Sequence, residues 1–126
     1  MLVEKIHFEI DKNIKIKNFG RKIFKKYKNF PPLKSNVIVV IGGDGFMLEI
    51  LKKFQKYNKP FYGMNKGTFG FLMNKFKIEN IKKRIMNSKQ ITISPLVMEV
   101  VGKNSKKKTV IAINEVSLLR QSRQTA

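Results

Sequence analysis

The chain has 126 residues, 42% of them hydrophobic, so it is long enough for one domain with a core and is not a disordered composition. The formal net charge is +19, but only four of the 27 basic residues are Arg; this suits a solvated Lys surface that draws anionic ligands better than a specific reader of nucleic acid. Zero cysteines and one histidine exclude disulfides and a structural zinc site, no apolar run nears the roughly 18–20 residues of a membrane span, and the N-terminus lacks a signal peptide's apolar stretch, so a cytoplasmic protein without membrane attachment is expected.

In chain order, Ile6, Phe8 and Ile10 alternate with His7 and Glu9, the pattern of a half-buried strand with His7 on its polar, surface side. Ile16, Phe19, Ile23, Tyr27 and Phe30 recur at helical spacing up to Pro31-Pro32. Val37 to Ile41 is an unbroken β-branched run, which predicts a strand covered on both faces. Beyond Gly45 the period turns helical through Phe46, Met47, Ile50, Leu51 and Phe54, with Lys52 and Lys53 on the other face. Pro60 to Met64 reads as a short strand, and Ile78, Ile81 and Ile85 mark a short basic helix. From Ile91 the pattern is strand-like, in "ITISPLVMEVVG" and "TVIAINEVSLL", joined by a polar hairpin loop from Gly102 to Lys108.

The stretch "VIVVIGGDGFMLEI" carries the chemistry. A strand, a glycine loop and a helix follow one another, so the unsatisfied N–H groups of the helix N-terminus and its dipole are available to phosphate oxygens. Glycines there allow positive φ and close approach of a ligand to the backbone. Asp44, one of only two aspartates, has two readings. It caps the helix, or it faces a ligand hydroxyl and accepts its proton, as phosphoryl transfer to an alcohol requires. Glu49 reads as a solvated residue of the helix and not as a second catalytic carboxylate.

Gly-Gly-Asp-Gly alone occurs in several kinase families. The segment "PFYGMNKGTFGFL", Pro60 to Leu72, resembles the second motif of NAD kinases, and "AINEVSLLR" resembles their Asn-Glu motif. The chain is therefore similar to the N-terminal half of an NAD kinase. The resemblance implies an α/β fold, with a Rossmann-like parallel-sheet domain over residues 1–90 and the first strands of a β-rich NAD-binding domain over 91–126. It implies phosphoryl transfer from ATP with Mg²⁺, or from polyphosphate, to the adenosine ribose 2′-hydroxyl of NAD. Asp44 would be the general base, or at least the acceptor that orients the adenosine ribose 2′-hydroxyl, and Gly45 would present its backbone to the same nucleotide. Gly42 and Gly43 would shape the phosphate loop, and Asn114 and Glu115 would hold the adenosine part of NAD. Asn65, Gly67, Phe69, Gly70 and Phe71 would form the wall of the pocket. A dimer or tetramer is implied, with no specific nucleic acid and no membrane as partner.

The chain departs from the family pattern in places. Phe46 stands where the family usually has Thr, Phe69 where it has Leu, and "SPLVMEV" replaces an Arg-containing strand start. The later glycine-rich motifs of the family do not occur before Ala126, so the expectation is a truncated chain that is inactive by itself. Two other classes are weighed. A lipid kinase of the diacylglycerol or sphingosine type shares the Gly-Gly-Asp-Gly loop, but "GMNKGTFGFL" argues against it. A basic nucleic-acid-binding module lacks the Arg and aromatic surface such readers use.

Overall fold

A computed structural model describes residues 3–14, 18–65, 72–93, 98–101, 108–111 and 115–121. Strand β1 spans Ile6–Ile10, helix α1 Phe19–Lys26, β2 Val37–Ile41, α2 Asp44–Phe54 and β3 Phe61–Asn65. A two-residue strand β4 (Asn74–Lys75), helix α3 (Ile81–Met86) and β5 (Lys89–Ile93) follow. The last three strands are β6 (Met98–Val101), β7 (Lys108–Ile111) and β8 (Val116–Arg120). The main sheet runs β1–β2–β3–β8–β5, with β4 also on β3, while β6 and β7 pair separately as an antiparallel hairpin. Strands β1, β2, β3, β4 and β8 are parallel to their neighbours on the β3 side, and β5 lies antiparallel to β8. This is the expected α/β class with a mostly parallel sheet.

The sheet is covered on both faces, and the sequence explains the split. All five residues of β2 are fully buried. Ile38 and Val40 point to the α2 side, with Met47, Ile50, Leu51 and Phe54. Val37, Val39 and Ile41 point to the other face, with Ile23 of α1 and Ile81 and Ile85 of α3. Each such side chain contributes about 1.5–3 kcal/mol relative to leaving it in water.

Four expectations need correcting. Helix α3 begins at Ile81, so Ile78 precedes it. Helix α1 ends at Lys26, with Tyr27 extended at its C-cap, so Phe30 is not on the helix; Ile16 lies outside the described residues. The segment after α1 instead seals the edge of β1. Phe30 N–H donates to Ile6 O at 3.0 Å, and Phe8 N–H donates to Asn29 Oδ1 at 2.8 Å. His7 is not a surface residue: it is 8% exposed, because Phe54 packs edge-on against it and residues 29–30 cover the strand edge. Its Nδ1 donates to the Phe30 carbonyl at 2.7 Å, and its Nε2 lies 2.6 Å from Glu9 Oε2. Finally, no described glycine has positive φ.

Candidate nucleotide site at the start of helix α2

Parallel strands place the loops that follow them at one end of the sheet, where ligands of open α/β folds bind. Gly42 to Gly45 follow β2, Asp11 follows β1 and Asn65 closes β3, all at that end. Gly42 N–H donates to Met64 O and Asp11 N–H to Ile41 O, so the loop is tied to both neighbouring strands.

The three glycines do different jobs. A Cβ on Gly42 would lie 2.8 Å from Phe46 Cδ2 and 3.1 Å from Asp11 Cβ, so this position is glycine because the chain packs tightly there. A Cβ on Gly43 or Gly45 would meet nothing within 4 Å. With ordinary φ at both, neither backbone conformation nor packing requires glycine at these two positions. The first intrahelical bond runs from Met47 N–H to Gly43 O, so the N–H groups at the helix start have no helical acceptor.

Asp44 is not the cap. Gly43 occupies that position, and no side chain caps the helix. Asp44 is the first helical residue, half-buried, and its Oδ1 accepts the Leu72 N–H at 2.9 Å. The carboxylate therefore joins the first glycine motif to the end of the second. Its position also complements the helix dipole. Glu49 is exposed on α2, as expected.

The remaining expected site residues divide. Gly67, Phe69, Gly70, Phe71 and Asn114 lie outside the described residues, as do Lys106 and Lys107 of the hairpin loop. Glu115 is described, exposed at the start of β8. Because β8 is parallel to β3, with Leu118 beside Phe61, Glu115 sits at the opposite end of the strands from Asp44. The length of β3 alone separates the two ends by roughly 13 Å at ~3.3 Å per residue. Glu115 lines a polar pocket of about 270 Å³ with Gln55, Asn58, Lys59, Gln90 and Ser117.

Sequence reading missed Asn74. It is completely buried between β3 and β8, with its Nδ2 donating to Gly63 O and Leu119 O and its Oδ1 accepting from Gln121 N–H. Gln121 also donates through Nε2 to the Tyr62 hydroxyl at 2.8 Å. Burial pushes the Tyr62 phenol above its usual range, partly offset by the Gln121 hydrogen bond and the Arg84 charge. No local pattern marks an asparagine in a two-residue strand as buried. A polar residue directly after the apolar Leu72-Met73 pair is the only trace.

Among the described residues, no three His, Cys, Asp or Glu side chains gather to hold a metal ion, and no helix is long and apolar enough to cross a membrane. Asp44, with Asp11 at the same end of the sheet, fits Mg²⁺ as that ion usually binds in kinases, through substrate phosphates, water and one or two carboxylates.

Residues 4–90 match the family model of the ATP-NAD kinase N-terminal domain. The chain is 45% identical over 104 residues to the NAD kinase of Brucella suis, covering 82% of this chain and 40% of that protein. It is 41% identical over 114 residues to the NAD kinase of Zymomonas mobilis, covering 89% and 44%. With the NAD kinase of Caulobacter vibrioides it shares 38% over 124 residues, covering 98% and 48%. It thus spans less than half the length of each of these relatives.

Proposed function

This chain belongs to the NAD kinase family, and from that premise we propose that the complete protein transfers a phosphoryl group from ATP, or polyphosphate, to the adenosine ribose 2′-hydroxyl of NAD. Asp44 accepts the hydroxyl proton. The ribose oxygen bonds to the terminal phosphorus as the bond from that phosphorus to the departing ADP or shortened polyphosphate breaks. The products are NADP and the shortened donor, and the proton passes from Asp44 to water. The observation that carries this reading is the carboxylate of Asp44, which accepts the Leu72 N–H at 2.9 Å at the start of a helix where Gly43 and Gly45 carry no side chain. A general base needs a fixed position more than it needs an unusual environment.

ATP brings Mg²⁺ on its phosphates, which offsets their charge at the site. Gly42 shapes the loop, and the N–H groups at the start of α2 face the phosphates. Asn65, Gly67, Phe69, Gly70 and Phe71 form the wall beside the nucleotide, on the strength of the motif they share with the family. The assignment of Asn114 and Glu115 to the adenosine part of NAD rests on the same resemblance, since Glu115 stands at the far end of β8 from Asp44. The division into a nucleotide domain over residues 1–90 and the start of a β-rich second domain over 91–126 rests on the resemblance alone, since β8 pairs with β3 and β5 with β8 in the main sheet. A cytoplasmic homo-oligomer, dimer or tetramer, without nucleic-acid or membrane partners completes the proposal.

The test is Asp44→Asn in the complete protein. NADP formation should fall by about 10²–10⁴-fold, the usual worth of a positioned base, while NAD binding stays within a few-fold. Near-normal turnover would remove Asp44 from the reaction.

A further inference from the structure

A hollow lined by lysines lies beside Tyr27 and Phe30, as expected by chance in a chain with 23 lysines, whereas Asn74 is fully buried where β3, β4 and β8 meet. We infer that Asn74 is a positioning residue for the reaction: it bolts the segment that carries the Leu72 N–H, and through that N–H it sets the direction of the Asp44 carboxylate. The inference rests on the reading of Asp44 given above.

The main sheet has a fault beside β3. Strands β3 and β8 are in parallel register at Phe61 and Leu118. Past that point β4 takes over the pairing with β3, at Met64 and Asn65. Parting two strands leaves backbone groups without ladder partners, and a buried unpaired group costs about 1–3 kcal/mol. Asn74 answers three of them at once. Its amide nitrogen donates to Gly63 O of β3 and Leu119 O of β8, each at 3.0 Å, and its oxygen accepts Gln121 N–H at 3.0 Å. Two donors and one acceptor at this reach are what an asparagine side chain holds; Asp lacks the donors, and Ser is too short and has one.

Asn74 therefore has one possible seat, and the residues before it are seated with it. Met73 is fully buried, in contact range of Gly63, and Leu72 is 8% exposed. The Leu72 N–H lies two residues from the bolt and 2.9 Å from Asp44 Oδ1. A shift of this segment along the fault would carry the N–H away from the carboxylate. Misplacing a catalytic group by about 1 Å costs on the order of 10²-fold in rate.

The experiment is a double-mutant cycle in the complete protein, reading kcat and KM for NAD on folded enzyme. Asn74→Ser should lower kcat by at least about tenfold with KM within about threefold, since the hydroxyl to be phosphorylated still binds but meets a misdirected base. In the Asp44→Asn background the same change should alter kcat by less than about twofold, because nothing remains to be directed. If Asn74→Ser does not fold, Asn74→Gln carries the test. It keeps both donors and the acceptor but sets them one methylene further from the backbone, so the segment is displaced, and kcat should again fall by at least about tenfold with KM within about threefold. Unchanged kcat in a folded Asn74 variant, or an equal loss in both backgrounds, would overturn the inference. Asp44→Asn alone separates this from failure of the proposed function: full activity there sinks the role of Asp44 itself.

Discussion

Gly63 sits in the middle of β3, where a strand ordinarily gains from a side chain, and the structure says why it has none. A Cβ there would lie 2.6 Å from Met47 Cε and 2.7 Å from both Met73 Cε and Met73 Sδ. Carbon atoms in good contact stand about 3.5–4.0 Å apart, so Gly63→Ala intrudes by roughly 1 Å on two side chains at once. Both contacts are at the flexible ends of methionines, which can swing aside, and overpacking of this kind costs about 1–3 kcal/mol. Alanine returns about 0.5–1 kcal/mol by ordering less chain on folding. The net loss is about 1–2 kcal/mol, which lowers Tm by about 2–8 °C for a chain of 150–250 residues. Thermal and urea unfolding of the complete protein measure it. Met47→Ala in the Gly63→Ala background should then cost less than in the wild type, because removing Cε makes room for the new methyl. A Gly63→Ala variant as stable as the parent, or a cycle additive within about 0.5 kcal/mol, would refute the packing argument.

Gly43→Ala and Gly45→Ala should leave the melting temperature within about 2 °C, since a Cβ meets nothing at either position and neither φ is positive. Both should weaken nucleotide binding by about tenfold, read by calorimetry; unaltered affinity would mean that no ligand approaches this backbone. Tyr62 predicts an alkaline limit. Its folded pKa lies above the unfolded one, so as pH rises past about 10 the unfolded state loses its proton first, and stability falls until the folded pKa is passed. Tyr62→Phe should flatten that part of the stability–pH curve relative to wild type, and parallel curves above pH 10 would contradict it.

The elements that local pattern determines were readable. Val37–Ile41 is a strand because five consecutive apolar, β-branched residues suit only a doubly covered position, and α2 follows because the apolar period changes after Gly45. What was hidden depends on distant chain. His7 looks polar-side by alternation, but Phe54 and residues 29–30 bury it. The helical spacing that ran on to Phe30 was continued by a loop, because the edge of β1 needs the backbone of residues 29–30. At the site, the glycines and Asp44 were legible as a motif, while the hydrogen bond from the Leu72 N–H to the Asp44 carboxylate was not, since Leu72 lies 28 positions away. The two-residue strand β4 and the role of Asn74 follow from where β3 and β8 part, which no stretch of sequence states alone.

The place of β8 also governs how the chain is assembled in time. Strand β3 is complete at Asn65, but the neighbour that covers its edge at Phe61 is not made until Arg120. At about 5–20 residues per second, those 55 residues take a ribosome roughly 3–11 s. Over that interval the Phe61 edge of β3 lacks its β8 neighbour, and the Leu119 O and Gln121 N–H that Asn74 also holds are not yet made. The first glycine motif thus emerges early, and the sheet that steadies it closes late.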